Sequence, residues 1–145
     1  MLIERRTDEA VVSVIDASVF VDALVGVGAH GDLARQEVRS QPALQVPAIF
    51  GAESTSALRG LVLRGDLSAI RAAAALEQVR RVRTLQYPFE PFAQRVWELR
   101  DNLTVYDAWY VALAEWLRTD LVTGDEGLTN AAGPHCGVRR PGPVR

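Results

Sequence analysis

Short β-branched runs alternate along this chain with longer segments of helical periodicity, and that alternation decides the fold class. Val11-Val12-Ser13-Val14-Ile15 reads as a buried strand ending at Asp16. Residues 17–25 turn helical, Gly26, Gly28 and Gly31 mark a loop, and residues 32–40 read as a short polar helix. Residues 43–46 are a second strand. Pro47 suits the first turn of a helix that runs to about Arg64 and stops at Gly65. Asp66 or Ser68 caps a helix rich in Ala and Arg, to about Arg81. Residues 82–87 are a third strand, and Pro88 and Pro91 introduce a helix ending near Arg100. Thr104 caps a helix through Arg118, with Asp107 placed for a capping box. Residues 120–123 form a fourth strand, followed by a Gly-Asp turn, a short helix and a weak strand at Val138. Strands alternating with helices predict an α/β fold around a central parallel sheet of four to five strands. With no internal repeat and no linker, residues 1–145 read as a single domain. Residues 1–10 are a short extension and residues 141–145 a flexible tail.

A chain of 145 residues, 48% apolar and 23% charged, lies in the globular range. It buries roughly two thirds of its unfolded surface without staples. No apolar run approaches the roughly 20 residues of a membrane span. The first ten residues hold no apolar stretch of signal-peptide length. The single Cys136 allows neither an internal disulfide nor a cysteine-rich zinc site. Together these predict a cytoplasmic protein. All 16 basic residues are arginine. Without lysine there is no phosphate-binding P-loop, no Schiff-base chemistry and no protein kinase.

Ligands of parallel α/β sheets sit at the carboxyl ends of the strands. Asp16 follows the first strand and Asp125 the fourth. Glu53 and Asp107 fall on helices among apolar neighbours, where a carboxylate is costly unless paired or bound to metal. Four such acids suggest a hard cation held by oxygen, Mg²⁺ or Mn²⁺. Each acid also has a plainer reading: Asp16 as a cap, Glu53 as a solvated helix residue, Asp107 as a capping-box acid, Asp125 as a turn residue. Asp22, Asp101, Asp120 and Glu126 read as surface acids, and His30 and His135 share no motif. Trp97, Trp109, Trp116 and Tyr110 recur at helical spacings that fit core or interface packing. The net charge of −2 argues mildly against nucleic acid. With four acids assigned to a metal, the rest of the chain carries +2. A strand-end Asp with a later Thr-Gly-Asp also suggests dehalogenase-type phosphatases. Those want a second Asp where Ser18 stands, and a lysine.

Four segments in order carry a resemblance. They are Val14-Ile15-Asp16-Ala17-Ser18-Val19; Pro47 to Glu53 with Ser56-Ala57-Leu58-Arg59; Leu99 to Ala108 with Val111 to Glu115; and Leu121-Val122-Thr123-Gly124-Asp125. Together they resemble the PIN-domain ribonucleases, and more closely the VapC-type toxins of toxin–antitoxin pairs. The resemblance implies a PIN-like three-layer fold and a metal-dependent endoribonuclease that uses Mg²⁺ or Mn²⁺. It also implies a cognate antitoxin, an RNA substrate and a homodimer. By motif position Asp16, Glu53, Asp107 and Asp125 carry over as metal-site acids, with Ser18 and Thr123 as supporting hydroxyls. Arg59 and Arg64, on the helix of Glu53, are candidate RNA contacts, since arginine binds phosphate bidentately and stacks on unpaired bases. Apolar residues beyond what a small sheet needs (Leu58, Leu61, Val62 and Leu63; Trp109, Leu113, Trp116 and Leu117) point to a subunit interface. A housekeeping RNA-processing PIN nuclease and a non-catalytic PIN-like binding protein are the alternatives.

Overall fold

A computed structural model describes residues 13–143. The expected extension at residues 1–10, Val11 and Val12, and the last two residues lie outside the described residues. The five strands are β1 (Val14–Ile15), β2 (Leu44–Pro47), β3 (Thr84–Tyr87), β4 (Leu121–Val122) and β5 (Val138–Arg139). The helices are α1 (Ala17–Val25), α2 (Gly28–Arg39), α3 (Phe50–Leu63), α4 (Ala69–Arg81), α5 (Ala93–Glu98), α6 (Val105–Leu117) and α7 (Glu126–Thr129). All four strand pairings are parallel and the order is β3-β2-β1-β4-β5.

That order sets the place of the site. From β1 to β3 the chain moves outward in one direction; from β3 it returns past β1 to β4. Right-handed crossovers therefore place the helices before and after the return on opposite faces. A crevice opens between β1 and β4, where the order reverses. There Asp16 N–H donates to the Val122 carbonyl at 2.9 Å, so the residues leaving both strands emerge side by side. Strand interiors, α1 and α6 supply one apolar core, with Ile15, Val46, Phe50, Leu113 and Val122 buried in it. A smaller cluster of Val21, Leu58, Leu67 and Ala75 sits beneath α4.

Several boundaries differ from those the sequence predicts. Pro47 ends β2, in register with Tyr87, and α3 begins only at Phe50. The expected glycine loop is mostly helix: α2 starts at Gly28, whose φ of +66° is a left-handed value glycine tolerates. Gly31 lies inside α2 against the backbone of Gly26, where a Cβ would stand 2.5 Å from the Gly26 carbonyl oxygen. These glycines serve the sharp fold of α2 back onto α1. Ser68, not Asp66, caps α4, its hydroxyl accepting from Arg71 N–H at 3.2 Å. The apolar surplus is smaller than expected, because Leu58, Trp109 and Leu113 are buried within the fold, leaving Leu63 and Trp116 exposed.

The far edge of the sheet is held by an ion pair. Arg139 on β5 donates two bonds to Glu37 of α2, at 2.6 and 3.3 Å, and a third to Asp120 at 3.3 Å. Glu37 also accepts from Gly142 N–H at 3.1 Å. Its side chain is 10% exposed and that of Arg139 is 23% exposed. Glu37→Ala leaves Arg139 with Asp120 as its remaining carboxylate partner and is expected to cost about 2–3 kcal/mol, below the roughly 3–5 kcal/mol for a fully buried pair because Asp120 and water still reach the guanidinium. Denaturant unfolding checks this. Glu126→Ala, which removes the exposed pair with Arg140, is expected to change stability by less than about 0.5 kcal/mol.

Candidate active site

Asp16 leaves the end of β1 and is 8% exposed. Its Oδ2 accepts from Thr123 Oγ1 at 2.7 Å and from Ser18 Oγ at 3.0 Å. Thr123 follows β4, fully buried, and its hydroxyl oxygen accepts from Asp125 N–H at 3.1 Å. The Ser18 hydroxyl accepts from Gly124 N–H at 3.1 Å. Two hydroxyls thus tie the end of β1 to the turn after β4 and fix the carboxylate of Asp16. Asp125 Oδ1 caps α7, accepting from Gly127 N–H at 2.8 Å. Asp107 sits in the first turn of α6, whose Thr104 cap accepts from Asp107 N–H at 3.2 Å. Glu53 lies in the first turn of α3.

The four acids share one electrostatic neighbourhood. Burial pushes the Asp16 carboxyl above its usual range, against the pull of the Thr123 and Ser18 hydrogen bonds. Burial raises Glu53 too, and the charges of Asp16 and Asp107 add to it. Asp107 is raised by burial first, then by Asp16 and Asp125. The charges acting on Glu53 and Asp107 are thus other carboxylates of the same set. A partly buried set of like charges lowers its free energy by taking up protons or a cation.

The donor set fits a divalent ion. Glu53 and Asp107 lie within electrostatic reach of hydroxyl-fixed Asp16, Asp125 within reach of Asp107, and the buried Glu53 Oε1 has no hydrogen-bond partner. Oxygen donors suit Mg²⁺ or Mn²⁺. Among the described residues no three His, Cys, Asp or Glu side chains converge on one point at ligand distance.

A cleft of about 620 Å³ opens beside this cluster, with Ser18, Glu53, Arg64 and Tyr106 in its walls. Ser18 links it to Asp16. Arg64 stands in this cleft, whereas Arg59 lines a separate depression between α3 and α4 with Leu63 and Leu76. Arg80 and Arg81 pair with Glu77 along α4, at 3.1 and 2.9 Å. Three cleft residues escaped the sequence reading. Asp22 lines the cleft and meets His30 Nε2 at 2.8 Å; its spacing of one helical turn from Ser18 was the available signal. Tyr106, half-exposed beside Asp107, and Ser56, one turn from Glu53, fall inside the resembling segments, which assign neither of them a role.

Residues 13–134 match the family model for the PIN domain. The chain belongs to the PIN-domain family. Within it, the chain is 39% identical over 127 residues to Ribonuclease VapC1 of Mycobacterium tuberculosis, covering 87% of this chain and 95% of that protein. The crystal structure of PAE2754 from Pyrobaculum aerophilum superposes with a TM-score of 0.65 at 25% identity, covering 90% of this chain and 84% of that one. A toxin–antitoxin complex from Klebsiella pneumoniae contains the same fold, at TM-score 0.58 and 20% identity, covering 91% and 99%. In this fold Asp16 and Asp125 lie at the β1/β4 crevice, and Glu53 and Asp107 on the first turns of α3 and α6.

Proposed function

We propose that this PIN-domain protein is a divalent-metal-dependent endoribonuclease that acts as the toxin of a toxin–antitoxin pair. The observation that carries the reading is the placement of Asp16, Glu53, Asp107 and Asp125 within one another's electrostatic reach at the strand-order reversal, beside a cleft of about 620 Å³. Relatives at 39% identity bear the name VapC ribonuclease. When bound, Mg²⁺ or Mn²⁺ supplies the Lewis acidity that activates water and offsets charge on the scissile phosphate.

The chain's own residues do the rest. Asp16, held by Ser18 and Thr123, is the fixed ligand; Glu53, Asp107 and Asp125 complete the set around it. Arg64 meets the RNA backbone from α3, and the exposed ring of Tyr106 offers an unpaired base a stacking surface. The proposed antitoxin covers the apolar depression between α3 and α4 and sets a cationic side chain against the acids. Exposed Trp116, outside that depression, suits an interface between two copies of the chain. Light scattering of the isolated chain is expected to give the mass of a dimer; a monomer at tens of micromolar removes that part of the proposal.

The deciding experiment is chelation. Cleavage of a single-stranded RNA by the purified protein is expected to vanish in EDTA and to return with excess Mg²⁺ or Mn²⁺. Cleavage that persists after exhaustive chelation and dialysis overturns the metal mechanism.

A further inference from the structure

Tyr110 lies on α6 one helical turn beyond Asp107. It is fully buried. Its hydroxyl sits where three elements meet: Glu53 of α3, Ala17 N–H in the first turn of α1, and its own helix. The Tyr110 hydroxyl and Glu53 Oε1 are both buried atoms without a partner at hydrogen-bond geometry. The phenol is nevertheless near enough to act on the Glu53 carboxyl. A phenylalanine fills the same space without a polar group to satisfy, and a buried hydroxyl left unpaired is a net cost to the fold. What offsets that cost is a bond made once Glu53 settles into place.

We propose that Tyr110 is the positioning residue for Glu53: its hydroxyl donates to one carboxylate oxygen and turns the other toward Asp16 and Asp107. The inference rests on the proposal that these acids hold a divalent ion. Groups hydrogen-bonded behind a metal ligand orient it, and their loss typically lowers metal affinity by roughly 10- to 100-fold. The ring itself packs in the core, so removal of the oxygen alone separates orientation from packing.

The test is calorimetric titration of the metal-free chain with Mn²⁺, alongside its thermal melt, neither of which reads activity. Tyr110→Phe is expected to weaken Mn²⁺ binding by roughly 10-fold or more with an apo melt equal to or above that of the unaltered chain. In a Glu53→Gln background the same substitution is expected to change affinity by less than about twofold, because the group it positions is no longer a carboxylate. Unchanged Mn²⁺ affinity in Tyr110→Phe overturns the inference. So does an equal loss of affinity with and without Glu53, or a collapsed apo melt, which would make the hydroxyl a structural group. If the unaltered chain binds no Mn²⁺, the metal reading itself fails, an outcome distinct from a Tyr110 variant that binds as well as its parent.

Discussion

Asp107→Asn is expected to lower RNA cleavage by about a thousandfold while the metal-free protein melts at the same temperature or higher. Losing one electrostatic contact to a transition state already costs about 10²–10³-fold, and this carboxylate helps to hold the ion itself. The stability half follows from the direction of the shift. Burial, Asp16 and Asp125 hold the folded carboxyl of Asp107 above its usual range. Below the unfolded carboxylate pKa of about 4 both states are protonated and the shift has no effect. As pH rises the unfolded chain ionises first, so the folded state loses stability until its own carboxyl ionises; above that point the full penalty remains. Asparagine never incurs it. The advantage of Asp107→Asn in apo melts is therefore present at neutral pH and fades as pH falls toward 4. Asp16→Asn is expected to abolish cleavage in the same way and to keep its fold, since an amide oxygen still accepts from Ser18 and Thr123. A large loss of apo stability at neutral pH in either variant would mean that these acids hold the fold and not a cation.

Phe50→Ala is expected to destabilise the chain by about 3–5 kcal/mol, a large share of the 5–15 kcal/mol of a typical domain. Phe50 opens α3, is 2% exposed and meets the ring of Phe20 on α1 with centroids 5.2 Å apart. That contact joins the helix behind Asp16 and Ser18 to the helix that carries Glu53, one turn beyond Phe50. Urea unfolding should show a lower midpoint with an unchanged slope. Mn²⁺ affinity should fall as well, since α3 loses the surface that sets its angle. Leu85→Ala, at a residue 52% exposed on the edge strand, is the control and should shift stability by less than about 0.5 kcal/mol. A Phe50→Ala protein as stable as its parent would show that α3 is held from elsewhere.

The fold was legible because its signals are local. A β-branched run before Asp16, a Thr104 cap and an apolar helix through Trp109 each announce themselves within one element. The boundaries that slipped were settled by contacts between elements. Pro47 joined β2 because Tyr87 offered it a register partner. The glycines after α1 were needed for two helices to approach closely, and a one-dimensional pattern cannot separate that from a loop. At the site, the strand-end rule found Asp16 and Asp125, and apolar surroundings marked Glu53 and Asp107. The rule could not tell Arg64 from Arg59, because their side chains leave α3 on different sides and only the packing of α4 decides which one meets the cleft. Asp22 was hidden by its exposed partner: its pairing with His30 exists only once α2 has folded back.

The hydrogen bond from Thr123 to Asp16 joins residues 107 positions apart in the chain, and it lies at the centre of the site. Contacts of such sequence separation form late, because a long loop has to close before they give any return. A ribosome making this protein therefore displays Asp16 and Glu53 long before Thr123 and Asp125 exist. Nothing in the emerging chain is yet a nuclease, however well its first helices have folded. Truncated products ending before β4 lack two of the partners of Asp16's neighbourhood and should leave RNA intact. The cell that translates this gene is exposed to its chemistry only by completed chains, and that delay gives a binding partner time to arrive.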